Sequence, residues 1–128
     1  MSIGLKLFQS LGIDTYQLRD KPKVLNQDHE NDWVSIESKV TTCKKCSLHK
    51  GRNNTVFGDG NRNADWFFVG EAPGKDEDLQ GKPFVGRAGQ LLNKMLHAIK
   101  IERQDVYITN VVPWRPPNNR RPTDEEID

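Results

Sequence analysis

Apolar residues recur at helical spacing in two parts of this chain. Trp33, Ile36 and Val40 follow the turns of a helix, which predicts a helix over residues 32–42. A stronger pattern over residues 87–99 places a whole row of apolar side chains on one helix face: Ala88, Leu91, Leu92, Met95, Leu96 and Ile99. We expect both helices to pack their apolar faces against a core.

The continuous apolar run of residues 66–69 predicts a buried strand, and residues 106–109 together with 111–112 predict a second one. Residues 43–63 and 70–86 are rich in turn-forming residues and are predicted to be loops. Strand, loop, helix and strand in this order predict a βαβ unit, and hence an α/β fold with a parallel sheet. Two strands cannot bury both faces of such a sheet, so the pattern predicts a truncated part of a larger domain.

Composition and charge limit the number of domains and the functions that this chain can have. With 128 residues the chain has the size of one domain, and its net charge of +1 does not mark a nucleic-acid binder. Residues 79–122 hold a local excess of basic residues, which suits either phosphate contacts or an ordinary solvated surface. No apolar run is long enough to span a membrane and no secretory segment is present, so we expect a cytoplasmic protein.

Cys43 and Cys46 are the two cysteines of the chain, and they form a Cys-x-x-Cys motif. Because no secretory segment is present, a structural disulfide is not expected, and metal binding or redox chemistry are the alternatives. Two thiolates supply half of a tetrahedral site, so zinc or an iron–sulfur cluster needs two further ligands. His29 and His49 lie nearby in the sequence, without a convincing ligand spacing.

Candidate chemistry follows the end of the first predicted strand. Residues 70–74 form a Gly/Pro loop where parallel sheets bind ligands, although a strand-to-helix turn without a ligand explains it as well. Four carboxylates accompany this loop: Glu71, Asp76, Glu77 and Asp78. They suit a general base or a metal ligand, and equally a helix N-terminus that attracts negative charge.

Further candidates lie in the later loops. Phe84 is flanked by glycine and proline, and its ring can stack on a base or plug the core, the interpretation that spacing alone favours. Asn110 ends the second strand, where its amide can recognise a pyrimidine edge or form a turn. A proline-stiffened loop then carries three arginines suited to phosphates: Arg115, Arg120 and Arg121. Beyond it, the Thr123/Glu126 spacing of a capping box predicts another helix.

Together these motifs resemble the type 4 (iron–sulfur) uracil-DNA glycosylases and similar bacterial proteins labelled phage DNA polymerase-related. The resemblance covers residues 40–128, with residues 1–32 a variable leader and residues 33–128 an incomplete glycosylase-like domain. The matching segments, in order, are CKKCSL (43–48), VFGDG (56–60), GEAPG (70–74), ED (77–78), GKPFVG (81–86), GQLL (89–92), VYITN (106–110) and RPPNNR (115–120).

The resemblance implies a three-layer α/β/α sandwich and a hydrolase of DNA repair, which binds uracil-containing DNA. Such enzymes excise uracil by hydrolysing the N-glycosidic bond of a flipped-out nucleotide. The residues implied to contact uracil are Glu71, Ala72, Pro73, Phe84, which stacks on the ring, and Asn110, which disfavours cytosine. Glu71 or Glu77 is implied to position the attacking water as the catalytic residue.

The chain departs from the family pattern in its cofactor ligands and in its extent. The family's 4Fe–4S cluster uses four cysteines; the first two match Cys43 and Cys46, the third falls at Trp114, and the fourth lies beyond Asp128. We therefore expect no stable cluster. A loop that supplies a histidine to uracil is also absent, so a complementing C-terminal fragment is an expected partner. The alternative function is a non-catalytic remnant that binds nucleic acid weakly.

Overall fold

The computed structural model describes residues 29–128, and the predicted leader lies outside this range except for its last four residues. The α-helices of this part are α1 (His29–Thr42), α2 (Lys75–Gln80), α3 (Arg87–Ala98) and α4 (Asp124–Ile127). The strands are β1 (Asp59–Gly60), β2 (Phe67–Gly70) and β3 (Tyr107–Asn110). Short 3-10 helices occupy Ser47–Lys50, Arg103–Asp105 and Pro117–Asn119.

The strands form one sheet in the order β1-β3-β2. β2 and β3 are parallel, with Phe67 opposite Tyr107 and Gly70 opposite Asn110, which confirms the predicted βαβ unit. β1 comes from a segment predicted to be a loop, and it pairs antiparallel with β3, so the sheet is mixed. Gly60 permits this pairing, because its φ is +111° and a Cβ there would lie 2.0 Å from the Val106 carbonyl oxygen.

A helix contacts each face of the sheet, as in an α/β/α arrangement. On one face, α3 contributes Leu96 to a buried cluster with Val106 and Ile108. On the other, Trp33 of α1 packs against the ring of Tyr107, with ring centroids 5.0 Å apart. Successive β3 side chains point to opposite faces, so neighbouring residues of one strand contact different helices.

The predicted loop over residues 70–86 contains a helix, α2, which the sequence analysis missed. Gly74 is its N-cap, and its backbone N–H donates to the Glu77 carboxylate (3.2 Å). Gly81 ends the helix in the left-handed conformation, with a φ of 70°. Local capping therefore forms a helix too short to show a hydrophobic period. The capping box of Thr123 and Glu126, by contrast, opens α4 as predicted.

Burial differs from the prediction for β2 and for part of α3. The expectation that residues 66–69 are buried is wrong, because β2 lies at the sheet edge, and α3 also exposes one side of its apolar row. These exposed side chains, called the open face below, lie on both sides of the β2 edge: Trp66, Leu91, Met95 and Ile99 on the side of α3, and Phe67 and Val69 on the opposite side. Each is about half exposed, as Met95 (58%) illustrates. Among residues 29–128, no helix is both long and apolar enough to cross a membrane.

Candidate functional site

A cavity of about 280 Å³ lies beside the carboxyl ends of β2 and β3. It is lined by both predicted and unpredicted residues: Ala72, Gly74, Lys75, Asp76, Glu77, Phe84, Gly86, Arg87, Ala88, Asn110 and Asn119. This is the edge at which α/β sheets bind ligands, and the volume is near that of small-molecule sites. The structure therefore brings the motif loops together, although the lining extends in sequence from Ala72 to Asn119.

Phe84 and Asn110 meet across Gly70. A Cβ at Gly70 would lie 2.4 Å from Asn110 Oδ1 and 2.7 Å from Phe84 Cε2, so only glycine admits both side chains. Asn110 is 9% exposed, and within residues 29–128 its amide has no hydrogen-bond partner. The Phe84 ring borders the cavity and also packs against the cluster around Ile108. The ring therefore belongs to the core and to the cavity wall at the same time.

Glu77 connects the two loops that border the cavity. Its Oε1 accepts hydrogen bonds from the backbone N–H groups of Val85 (3.0 Å) and Gly86 (2.8 Å). Its Oε2 accepts one from Gly74 (3.2 Å) at the start of α2. One of the two side chains that the resemblance implies as catalytic candidates therefore holds the loop that carries Phe84. No spacing in the sequence predicts this role, because the hydrogen bonds join residues 3 to 9 positions apart in irregular backbone.

Glu71 turns away from the cavity and does not line it. Its Oε1 accepts a hydrogen bond from Arg121 Nε (2.7 Å) in an exposed ion pair. Pro73 is buried and likewise does not line the cavity, whereas Ala72 does. The GEAPG loop thus contributes one of its three predicted contact residues to the cavity wall.

The three arginines predicted to contact phosphates already have partners in the chain. Arg120 donates to both oxygens of Glu126 (2.8 and 2.7 Å), and Arg121 donates to Glu71. The hydrogen bond from Arg120 lowers the pKa of Glu126 to about 2. Arg115 donates from Nε to Asn119 Oδ1 (2.7 Å), and within residues 29–128 it has no carboxylate partner. Arg115 is therefore the one of the three whose charge is not offset by a described acid.

The two remaining carboxylates of the acidic segment have different surroundings. Asp78 is fully buried, where its side chain accepts hydrogen bonds from the backbone and side-chain amides of Asn53 and from the backbone of Asn54. Its role is structural, since it anchors a neighbouring loop to α2. Asp76 is exposed and lines the cavity, with no ion pair among the described residues.

Three cavity residues were missed by the sequence analysis: Lys75, Arg87 and Asn119. Lys75 and Arg87 begin α2 and α3 directly after a glycine N-cap, and neither forms an ion pair within residues 29–128. The sequence signal available was a basic residue immediately after each loop-ending glycine. Asn119 has a φ of 54°, which Asn tolerates better than most residues. Lys75 and Arg87 therefore place positive charge beside the cavity.

Cys43 and Cys46 lie next to a second core, not in an open metal site. Both pack against the cluster of Leu48, Val112 and Trp114. Trp114 is 7% exposed, and the Arg52 guanidinium lies 5.3 Å from its ring centroid. Within residues 29–128 there is no group of three or more His, Cys, Asp or Glu that can hold a metal ion. Two thiols beside an indole do not fit a cluster that needs four thiolate ligands.

Comparisons with known proteins place these features in a family. Residues 57–128 match the model of the uracil DNA glycosylase superfamily. The chain is 58% identical over 93 residues to the type-4 uracil-DNA glycosylase of Archaeoglobus fulgidus, which covers 73% of this chain and 47% of that protein. The corresponding enzyme of Thermotoga maritima is 54% identical over 91 residues, 71% of this chain and 47% of the relative.

A DNA polymerase of Bacillus phage SP01 is 38% identical over 71 residues, which is 55% of this chain and 8% of the polymerase. Both parts of the resemblance stated from the sequence are therefore confirmed. The chain spans about half the length of the curated glycosylases it matches, since the five such relatives are covered over 42–50% of their own length.

Proposed function

This chain belongs to the uracil DNA glycosylase superfamily, and on that premise we propose that it acts in DNA repair by binding a uracil flipped out of DNA. The proposed reaction is hydrolysis of the N-glycosidic bond between uracil and deoxyribose. Its proposed location is the cytoplasm. The observation that carries the proposal is the meeting of an aromatic ring and an unpartnered amide at one cavity.

The cavity offers two complementary contacts to a pyrimidine. The Phe84 ring provides a stacking surface, and base–aromatic stacking is worth about 1–3 kcal/mol per base. Asn110 provides a donor and an acceptor, which match the N–H and C=O groups on the edge of uracil. Cytosine carries an amino group where uracil has a carbonyl, so the same amide placement would oppose two donors. Selectivity follows from this mismatch.

For the water that attacks the sugar, we propose Glu77 over Glu71. Glu77 borders the cavity, and its Oε2 accepts only one protein hydrogen bond, from Gly74, so a lone pair is left for a water. Glu71 pairs with Arg121 outside the cavity lining. The Glu77 carboxylate also places negative charge where a developing sugar cation would be stabilised.

Phosphates of the DNA are proposed to contact the cations whose charges are not offset within the described part of the chain. Lys75 and Arg87 lie at the cavity, and Arg115 lies in the loop that follows β3. Arg120 and Arg121 can join them only after exchanging their partners Glu126 and Glu71. Charge-assisted contacts of this kind position DNA without regard to sequence.

The open face is proposed to receive the part of the domain that corresponds to the other half of the relatives. β2 is a sheet edge, and the apolar side chains of β2 and α3 beside it are about half exposed. Exposed apolar side chains on both sides of a strand edge that is unpaired within residues 29–128 mark an association surface. The occupant is therefore a segment containing a strand and a helix, in the same polypeptide or in a complementing fragment.

The experiment compares the wild-type chain with Asn110→Asp and Phe84→Ala, each with and without the complementing half. Single-turnover excision is measured on oligonucleotides that contain one uracil or one cytosine. Asn110→Asp faces an acceptor with an acceptor, so uracil excision should fall by the equivalent of about 1–3 kcal/mol or more, with some cytosine excision appearing. Phe84→Ala should weaken excision by about 1–3 kcal/mol without changing the preferred base.

Asn63→Asp is the matched control, since Asn63 is an exposed residue outside the cavity. If Asn110→Asp behaves like this control, Asn110 has no part in base recognition. Uracil binding without excision, even with the complementing half present, would instead favour the non-catalytic alternative.

A further inference from the structure

Arg103 lies behind the cavity and binds the loop that carries Phe84. Its Nη2 donates to the Pro83 carbonyl oxygen (2.6 Å), and its Nη1 donates to the Phe84 carbonyl oxygen (3.0 Å). Nη1 also donates to Asn93 Oδ1 on α3 (2.9 Å). The guanidinium thereby ties the loop to α3, yet it does not line the cavity. Neither the motifs nor the family resemblance pointed to this residue.

Phe84 needs such support because its backbone is in the left-handed region, with a φ of 52°. This conformation is uncommon for a bulky residue and persists only where the surroundings enforce it. Arg103 binds the carbonyl oxygens of Pro83 and Phe84, which belong to the two peptide groups that flank the Phe84 Cα. Glu77 binds the N–H groups of Val85 and Gly86, and the first of these lies in the same peptide group as the Phe84 carbonyl. The backbone is thus held on both sides of Phe84, and its ring lies beside Gly70 and Asn110.

We propose that Arg103 is a positioning residue for base recognition, holding Phe84 so that its ring lies beside Asn110. The proposal deepens the proposed function and rests on it where uracil is concerned. Arginine suits this position because its planar fork can donate to two adjacent carbonyls and to Asn93 together. Lysine keeps the charge near Asp59, which lies 3.7 Å from Arg103 Nε, but it lacks the fork.

The position of Phe84 can be followed without any ligand. The full chain is labelled with fluorophenylalanine at its five phenylalanines, and the Phe84 signal is assigned by its loss in Phe84→Leu. In Arg103→Gln the ¹⁹F signal of Phe84 should shift or broaden more than the other four. Arg62→Gln is the matched control, since Arg62 pairs with Glu37 (2.7 Å) away from the cavity.

Far-UV circular dichroism shows whether each variant is folded. Arg103→Lys is the more conservative variant and keeps the proposal testable if Arg103→Gln does not fold. The lysine variant keeps a cation near Asp59, so a purely electrostatic anchor would leave the Phe84 signal in place. We expect that signal to move in Arg103→Lys as well. An unchanged Phe84 signal in a folded Arg103→Lys or Arg103→Gln chain would overturn the proposal.

A binding cycle then connects position with recognition. Affinity is measured for a single-stranded oligonucleotide with one uracil, against the same oligonucleotide with thymine, in wild type, Arg103→Gln, Phe84→Ala and the double variant. Phe84→Ala should lose about 5- to 150-fold for uracil. Arg103→Gln should lose a comparable factor in the wild-type background and less than about 2-fold in the Phe84→Ala background.

The two hypotheses fail in different ways. If Phe84→Ala leaves uracil affinity unchanged, the proposed function is wrong, while the ¹⁹F result still decides whether Arg103 holds the ring. If Phe84→Ala weakens binding and the Arg103→Gln loss simply adds to it, Arg103 does not act through Phe84 and the inference is wrong.

Discussion

The cavity and the open face are built in opposite ways. Around the cavity, backbone groups of strained or irregular loops are bound by specific side chains, as Glu77 and Arg103 bind the segment around Phe84. On the open face, large apolar side chains such as Leu91 and Met95 are more than half exposed. Residues 29–128 supply the contacts that hold the loops of the first region, but they leave the second region without a covering layer.

This difference separates recognition from stability. Polar contacts specify geometry through direction and distance, so the cavity can be organised by a small part of a domain. Apolar stabilisation depends on the area removed from water, and that area grows with the size of the domain. Part of a domain can therefore carry an organised cavity on an incompletely covered core.

The largest effect should come from the core beneath the cavity. Trp114 packs with Leu48 and Val112, and Ala72 joins this cluster while also lining the cavity. Trp114→Ala should lower the free energy of unfolding by about 3–5 kcal/mol, measured by urea denaturation. Because Ala72 belongs to the same cluster, the cavity wall should lose packing as well.

A chelation experiment tests whether a bound metal cluster contributes to the stability of the chain. Because the chain holds two of the four cysteines that such a cluster needs, and residues 29–128 contain no larger group of metal-ligating side chains, a chelator should leave the melting temperature of the wild-type chain unchanged. A purified chain with about four iron atoms and an absorbance band at about 400 nm, as a 4Fe–4S cluster would give, would contradict this prediction.

Adding one methyl group to α3 should disturb the packing beside the cavity without changing any charge. A Cβ at Gly89 would lie 1.8 Å from the Phe84 carbonyl oxygen, so α3 or the loop must move in Gly89→Ala. We expect a loss of about 1–3 kcal/mol in the free energy of unfolding, although alanine favours helices. Gly51→Ala is the control, because nothing lies within 4 Å of its added Cβ. Equal stability of the two variants would show that the close packing is not required.

The open face should tolerate charge, in contrast to the core. Leu91→Lys and Met95→Lys should change the free energy of unfolding by no more than about 0.5 kcal/mol, since both side chains are exposed. They should raise the monomer fraction in sedimentation, because the wild-type chain is expected to associate through this face. Leu96→Ala on the same helix should cost about 2–5 kcal/mol, as Leu96 is buried. Association unchanged by both lysines would place the contact elsewhere.

The smallest effect should appear at α4, where lowering the pH protonates Glu126 and removes its ion pair with Arg120. Because hydrogen bonds from Arg120 and Thr123 lower the pKa of Glu126 from 4.5 to about 2, ionised Glu126 stabilises the folded state. That stabilisation is complete above about pH 4.5 and is lost as the pH falls through about 2. The amide signal of Thr123 in NMR spectra should report the transition, and Glu126→Gln should abolish it. A midpoint near 4.5 would show that the pair does not persist in solution.

Local patterns determined the βαβ unit, α3, the start of α4 and the motif loops at the strand ends. These features depend on residues close in sequence, such as the apolar row of α3 or the Thr123/Glu126 capping box, so spacing and side-chain type are sufficient. The resemblance added the family, which the comparisons confirmed.

Only the tertiary structure decided which side chains meet and which remain exposed. Phe84 and Asn110 converge because Gly70 leaves space and because Glu77 and Arg103 hold a left-handed backbone, contacts that no sequence period encodes. Glu71 fits the motif yet pairs with Arg121 away from the cavity. β2 has the composition of a buried strand, but burial depends on neighbouring strands and helices, and its edge position leaves Phe67 and Val69 exposed.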